Sequence, residues 1–303
     1  MLAKQWQHAF PVAAIGRQLA GWLMAIIAYG VAVRFIVNWW DIRLPEWGAS
    51  AGLIDGVVLG LLLSFRNRAC YERWWEGRRL WGHLINDSRN LACKFAAFIP
   101  ADVLARSGAP ELISDFAEAM KRQLRSAPAS SKDPASFKAE KAETGPTPTQ
   151  VAGRLYAIVA GWRRDGLLDD ATLWVLDTHL RALLDSSGGC EKIHTTPLSP
   201  SYKALLRTGI AINLLLGPWY AVAELGYWGV PVFSVVCFFL LGVELIDTIV
   251  EEPFGPQRDE LDLDAYCRVI RDSVKTAIPA TSQGAYSPPQ PSPIRGEGAT
   301  GTR

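Results

Sequence analysis

A chain of 303 residues has room for one large or two ordinary domains, and 49% hydrophobic residues with 12 tryptophans is a richer apolar share than most soluble proteins carry. A formal net charge of only +1 supplies no basic field to hold a phosphate backbone, which argues against nucleic acid as a partner. Cys70, Cys93, Cys190, Cys237 and Cys267 stand singly, so neither a zinc ribbon nor a disulfide scaffold is indicated and reduced thiols are expected.

The N-terminus lacks the basic stretch, short apolar run and small-residue site of a cleavable signal peptide, so residues 1–18 read as a cytosolic segment ahead of a retained anchor. From Leu19 to Trp40 the chain is apolar except for Arg34, long enough to cross a bilayer, and it ends in Trp39, Trp40 and then Trp47, residues suited to a membrane interface. Ala51 to Phe65 is a shorter apolar stretch containing Asp55. No proline interrupts Glu46 to Ile99, so this second helix of the 19–65 membrane region is expected to run on into water.

Residues 66–206 form a long polar insert whose LISDFAEAMKRQL and ATLWVLDTHLRALL runs carry apolar residues at three- and four-residue steps, the mark of a helical domain. Within it, 126–149 is rich in Pro, Ser, Lys and Glu and reads as a mobile loop. Residues 207–250 hold two more apolar segments, GIAINLLLGPWYAVAEL and GYWGVPVFSVVCFFLLGVELI, with kinks or breaks expected at Pro218 and Pro231. A C-terminal cytosolic helical segment is expected over 251–278, and the tail 279–303, without apolar periodicity, reads as disordered.

Lys4, Arg17, Arg66, Arg68, Arg73, Arg78, Arg79, Lys203 and Arg207 flank these segments on one side, against Arg43 alone in the outer loops, which places both termini and the insert in the cytoplasm. The expected fold is therefore all-α, an integral membrane protein with four transmembrane helices and a helical cytosolic domain.

Two strips mark the second helix. Gly52, Gly56, Gly60 and Ser64 recur every four residues as a narrow packing strip, and Val57, Leu61 and Phe65 share that spacing about a quarter turn away. Such a helix can pack a neighbour with one strip and face an axis with the other, in a ring around a central pore; the same strips also suit an ordinary pair of membrane helices. Around a pore, the bulky strip would make a hydrophobic neck that gates by wetting. Arg34 and Asp55 are charges that lipid disfavours, read either as a mutual pair or, for Arg34, as part of an outer ion vestibule.

SFRNRACYERWWEGRRLWGHLINDSRNLA at 64–92 resembles the signature of the bestrophin family as found in bacterial members, and GGCEKIHTTPLSPSY at 188–202 and EEPFGPQRDELDLDAYCR at 251–268 continue the likeness in order. The resemblance implies a homopentamer in a bacterial inner membrane, with lipid, small inorganic ions and further copies of itself as partners and no cofactor. It implies one central pore, chiefly for chloride or other small anions, with a neck at Val57, Leu61 and Phe65 and a cytosolic aperture at Leu198. Monovalent-cation conduction by the same fold stays open, because the neck offers no fixed charge. Animal relatives carry a calcium-binding acidic run after PFG, whereas Pro256, Gln257 and Arg258 stand here. Asp259, Glu260, Asp262 and Asp264 remain as weak calcium candidates that would equally favour the start of a following helix.

Glu72, Glu76, Arg73 and Arg79 are spaced for structural ion pairs. Cys190, Glu191 and His194 are a fragment of a metal site without a partner motif. An intramembrane enzyme using Glu224, Glu244 or Asp247 is a rival class, but His8, His83, His179 and His194 lie outside the apolar segments and neither HExxH nor GxSxG occurs. A non-conducting membrane scaffold is the third class.

Overall fold

Long runs without helix-breaking residues dominate the sequence, and the computed structural model turns them into helices. It describes residues 11–40, 47–126, 145–255 and 260–278, and every regular element among them is helical. In order these are α1 (Pro11–Trp39), α2 (Trp47–Phe98), α3 (Ala101–Ser107), α4 (Ala109–Ser126), α5 (Pro148–Arg164), α6 (Asp170–Thr195), α7 (Pro200–Leu225), a 3-10 turn (Gly226–Trp228), α8 (Gly229–Val250) and α9 (Leu263–Ala277).

Helix α2 is the spine. Its 52 residues extend roughly 78 Å at 1.5 Å per residue. Leu59, Leu63, Arg66, Cys70, Gly77, Trp81, Leu84, Ser88, Leu91, Ala92 and Phe95 are its described buried positions, recurring at about one or two helical turns along one face. A stripe that keeps the helical period does not wind around the helix, so α2 uses a single face from its apolar half to its polar half.

Around the polar half, α4, α5, α6 and α9 close a continuous core that includes Trp81, Leu84, Phe95, Phe116, Leu155 and Ile270. Phe95 meets Trp162 edge-on with centroids 5.1 Å apart, and Trp81 packs on Tyr266 at 5.8 Å. Helix starts here are capped by their own sequence. Asp169 accepts from the Thr172 amide at 2.7 Å, and Thr147 and Gln150 form a reciprocal capping box at α5. That box shortens the expected 126–149 loop at one end, since Pro148 to Gln150 are the first turn of α5, and Ser126 belongs to α4 at the other. Residues 127–144 lie outside the described residues, as do the expected disordered tail and residues 1–10 of the N-terminal segment. Residues 11–18 of that segment already belong to α1.

The apolar half of α2 packs against α7 and α8, which also hold α1. Its internal core is small, built on Leu59, Leu63, Leu206 and Ile210, while Trp22, Phe35, Leu215, Val235 and Phe239 stand exposed. Leaving each such side chain in water forgoes roughly 1.5–3 kcal/mol, so this surface is built for lipid or for another protein. Within the described residues, Gly16–Trp39 and Pro200–Val250 are long and apolar enough to cross a membrane.

Of the kink or break expected at Pro218, a break does not occur. Proline removes one helix hydrogen bond, yet α7 continues through it to Leu225. Beside it, Trp219 Nε1 donates to Tyr29 Oη, which donates to the Leu215 carbonyl, both at 2.9 Å, so α1 supplies polar contacts where the helix is weakened. Pro231 sits in the first turn of α8, where its missing N–H would have no partner within the helix. α7 and α8 approach closely at Gly217, where an added Cβ would fall 2.2 Å from the Phe233 ring.

Replacing Phe95 by alanine is expected to lower stability by about 3–5 kcal/mol, read as a fall in the thermal midpoint of detergent-purified protein. A fall no larger than that of exposed Trp174→Ala would contradict a core centred on α2.

Candidate functional site

Val57, Leu61 and Phe65 lie on the apolar half of α2 and are 71%, 56% and 59% exposed. Leu59 and Leu63, two residues along from Val57 and Leu61, are turned about 200 degrees away at the α-helical step and are buried. The bulky strip thus points away from everything its own chain packs. On the small-residue strip only Gly52 is used within the chain, against Tyr220 at 3.4 Å from a built Cβ; Gly56 and Gly60 meet nothing within 4 Å, and Ser64 is exposed. From Gly56 to Phe65 neither strip is packed by its own chain.

Directly below Phe65, Arg66 is fully buried. A desolvated guanidinium demands opposite charge, and α8 with its C-cap supplies it as Glu244, Asp247 and Glu251, placed at i, i+3 and i+7. Arg66 pairs with Glu244 and lies 4.0 Å from Glu251; Lys203 reaches Glu251 at 2.6 Å and Arg207 reaches Glu244 at 3.4 Å. The start of α7, the end of α8 and the middle of α2 are joined here, where the chain changes from apolar to polar.

The turn carrying Leu198 is fastened to the same knot. The Leu198 amide donates to Glu251 Oε1 at 3.3 Å, and Arg73 donates to the carbonyls of Ile193 at 2.7 Å, Thr196 at 2.5 Å and Glu251 at 3.3 Å. Leu198 itself is half-buried. Arg73 therefore holds backbone rather than the expected Glu72 or Glu76, and Glu72 pairs with Arg68 at 2.8 Å. The sequence reading missed the role of Glu251 and Arg66. The signal was present in an arginine at the end of an apolar run and three acids on one face of another.

Arg34 and Asp55 do not pair with each other. Asp55 accepts from Asn213 Nδ2 at 2.9 Å, while the Arg34 guanidinium lies 4.4 Å above the Tyr227 ring. Each charge found a partner on the α7–α8 hairpin instead, a polar amide for one and an aromatic face for the other.

Of the calcium candidates, Asp259 lies outside the described residues. Asp262 caps α9 through the Ala265 amide at 2.8 Å, and Asp264 accepts from Lys121 at 3.0 Å and Arg125 at 2.9 Å. Those bonds hold the Asp264 carboxyl below its ordinary range. Glu260 lies against Gly255. Cys190 is buried in the core around the polar half of α2, which pushes its thiol up, and Glu191 accepts from Gln123 Nε2. Among the described residues no three His, Cys, Asp or Glu side chains form a group able to hold a metal. The three acids of the enzyme reading do not converge. Glu224 is at the far end of α7 from Glu244 and Asp247, and Glu244 is tied up by arginines.

A family model described as bacterial/fungal bestrophin protein matches residues 7–276. The chain belongs to the bestrophin family. Among its relatives, a voltage-dependent anion channel-forming protein of Mesorhizobium japonicum is 31% identical over 261 residues, covering 84% of each chain. Another of that name from Nostoc is 31% identical over 265 residues, covering 81% of this chain and 82% of the relative. The fold matches that of a bacterial bestrophin homologue from Klebsiella pneumoniae, with a TM-score of 0.74 at 24% identity over 84% of this chain and 97% of that one. A further membrane protein structure gives a TM-score of 0.76 at 23% identity, over 86% and 99%. The bestrophin fold makes the exposed apolar half of this chain the surface of an integral membrane protein, and no enzyme class is implied.

Replacing Glu251 by alanine leaves Arg66 its Glu244 partner but removes the acceptor of Lys203 and of the Leu198 amide. Trypsin should then cut faster after Lys192 and Lys203, which flank that turn; an unchanged cleavage rate would contradict the fastening. Asp264 has a lower pKa folded than unfolded, so its bonds stabilise above the ordinary carboxylate range and are lost as pH falls through the lowered value. Asp264→Asn should therefore flatten part of the acid loss in thermal midpoint, and an undiminished acid loss would count against the α4–α9 link.

Proposed function

We propose that the protein is a bestrophin-type channel that passes chloride and other small anions passively through a central pore. The observation that carries this reading is the exposed strip of Val57, Leu61 and Phe65, aimed away from the chain's own core on a helix whose relatives are named anion channel-forming proteins. Five copies arranged around an axis would bring five such strips together as an apolar neck, packed side to side through Gly56, Gly60 and Ser64. The Leu198 turn, held by Glu251 and Arg73, would form the cytosolic aperture.

Four helices cross the membrane in this account: α1, the upper half of α2, α7 and α8. Trp39, Trp40, Tyr227 and Trp228, all exposed, then lie together at the outer interface, and the knot of Arg66, Lys203 and Arg207 lies at the inner one. Both termini face the cytoplasm of a bacterium, across its inner membrane. Arg34, against Tyr227 at the outer end, is placed to border an outer vestibule.

A neck of Val, Leu and Phe excludes water when narrow and conducts when slightly wider. Purified pentamers in a planar bilayer should pass current that reverses near the anion equilibrium potential in asymmetric salt, and Leu61→Ala or Phe65→Ala should raise it several-fold. Silent bilayers from protein of pentameric mass would defeat the channel reading. A reversal on the cation side would keep the channel and overturn the anion.

A further inference from the structure

The apolar neck carries no charge with which to choose an ion's sign, so discrimination must come from groups elsewhere on the path. α2 continues past the neck as one helix, and its buried stripe keeps the helical period into the cytosolic half. The opposite face keeps its line as well. From Val57, Leu61 and Phe65 it runs on through Arg68, Glu72, Trp75, Arg79 and His83, and every one of these is exposed.

The charges on that line do not cancel. Arg68 and Glu72 neutralise each other at 2.8 Å. Arg79 has no carboxylate within ion-pair distance among the described residues. Its neighbour Arg78 turns the other way, over the Tyr266 ring of α9 at 5.0 Å. Of two consecutive arginines, one fastens the cytosolic domain and the other is left with its charge unspent on the face that carries the neck.

We propose that Arg79 is the residue that sets selectivity for anions, as a ring of guanidinium groups lining the vestibule about 21 Å inside the neck, fourteen residues further along α2. This rests on the pore reading above, which puts that face toward the axis. A ring of like charge in a cleft with low-dielectric walls concentrates counter-ions. Its reach shrinks with salt, from about 10 Å at 0.1 M to about 3 Å at 1 M. The neck then gates, and the ring selects.

The test is reversal potential in planar bilayers under a potassium chloride gradient, at low and at high salt, for pentamers of the wild type and of Arg79→Ala, Arg79→Glu, Arg79→Lys, Glu72→Gln and Arg164→Ala. The anion-to-cation permeability ratio should fall several-fold in Arg79→Ala and further in Arg79→Glu, stay near wild type in Arg79→Lys and rise in Glu72→Gln, which unbalances Arg68. These differences should narrow at high salt. Arg164→Ala, which removes an exposed arginine of α5 away from the path, should change nothing. Conducting Arg79→Ala and Arg79→Glu channels with the wild-type reversal potential would overturn the ring and leave the channel standing, as would a cation-selective wild type. A silent wild type would overturn both.

Discussion

The described helices are arranged around α2, which has one buried face and keeps it from Leu59 to Phe95. Leu59 and Leu63 commit that face to α7 and α8 in the apolar half, and Trp81, Leu84 and Phe95 commit it to the helices around the polar half. Because the stripe does not wind, the face opposite is free along the same line. A helix that also turned its other side into its own core could line nothing. The division of α2 into an inward and an outward face is thus the condition for a neck, a vestibule and a contact between copies to share one element.

The burial of Arg66 follows from that constraint. The stripe passes from lipid-like to water-like surroundings at this residue, and a guanidinium without water must be matched by carboxylates close by. Glu244 and Glu251 match it, and in doing so they bring the end of α8 and the start of α7 beside the α2 turn that carries Phe65. Glu251 then spends its remaining hydrogen-bonding capacity on Lys203 and the Leu198 amide. Phe65 and Leu198, the two narrow places of the proposed path, are consequently linked through one buried pair of charges rather than through a flexible connection.

Much of this was legible in the sequence, and the parts that were not share a cause. The uninterrupted run from Glu46 to Ile99, the strips on it and the polar helical insert follow from periodicity and the absence of proline, which are local. The bestrophin signature at 64–92 added what no local pattern states. Pairings across helices were harder: Asp55 could have met Arg34 by charge alone, but the helix packing delivered Asn213, and Arg34 found Tyr227. Pro218 reads as a break until a tyrosine from α1 is seen beside it. The capping box at Thr147 was readable from TPTQ, yet it sat at the end of a stretch whose composition pointed to a loop.

The central claim is that the face of α2 opposite its buried stripe borders the ion path. It is tested most directly by placing a single cysteine at Leu61, at Leu63 and at Phe35, in a background with exposed Cys93 removed, and adding a charged thiol reagent during current recording. The account predicts that modification changes current at Leu61→Cys, with Leu63→Cys shielded by its own chain and Phe35→Cys modified without effect. Modification at Leu61→Cys that leaves the current unchanged would contradict it.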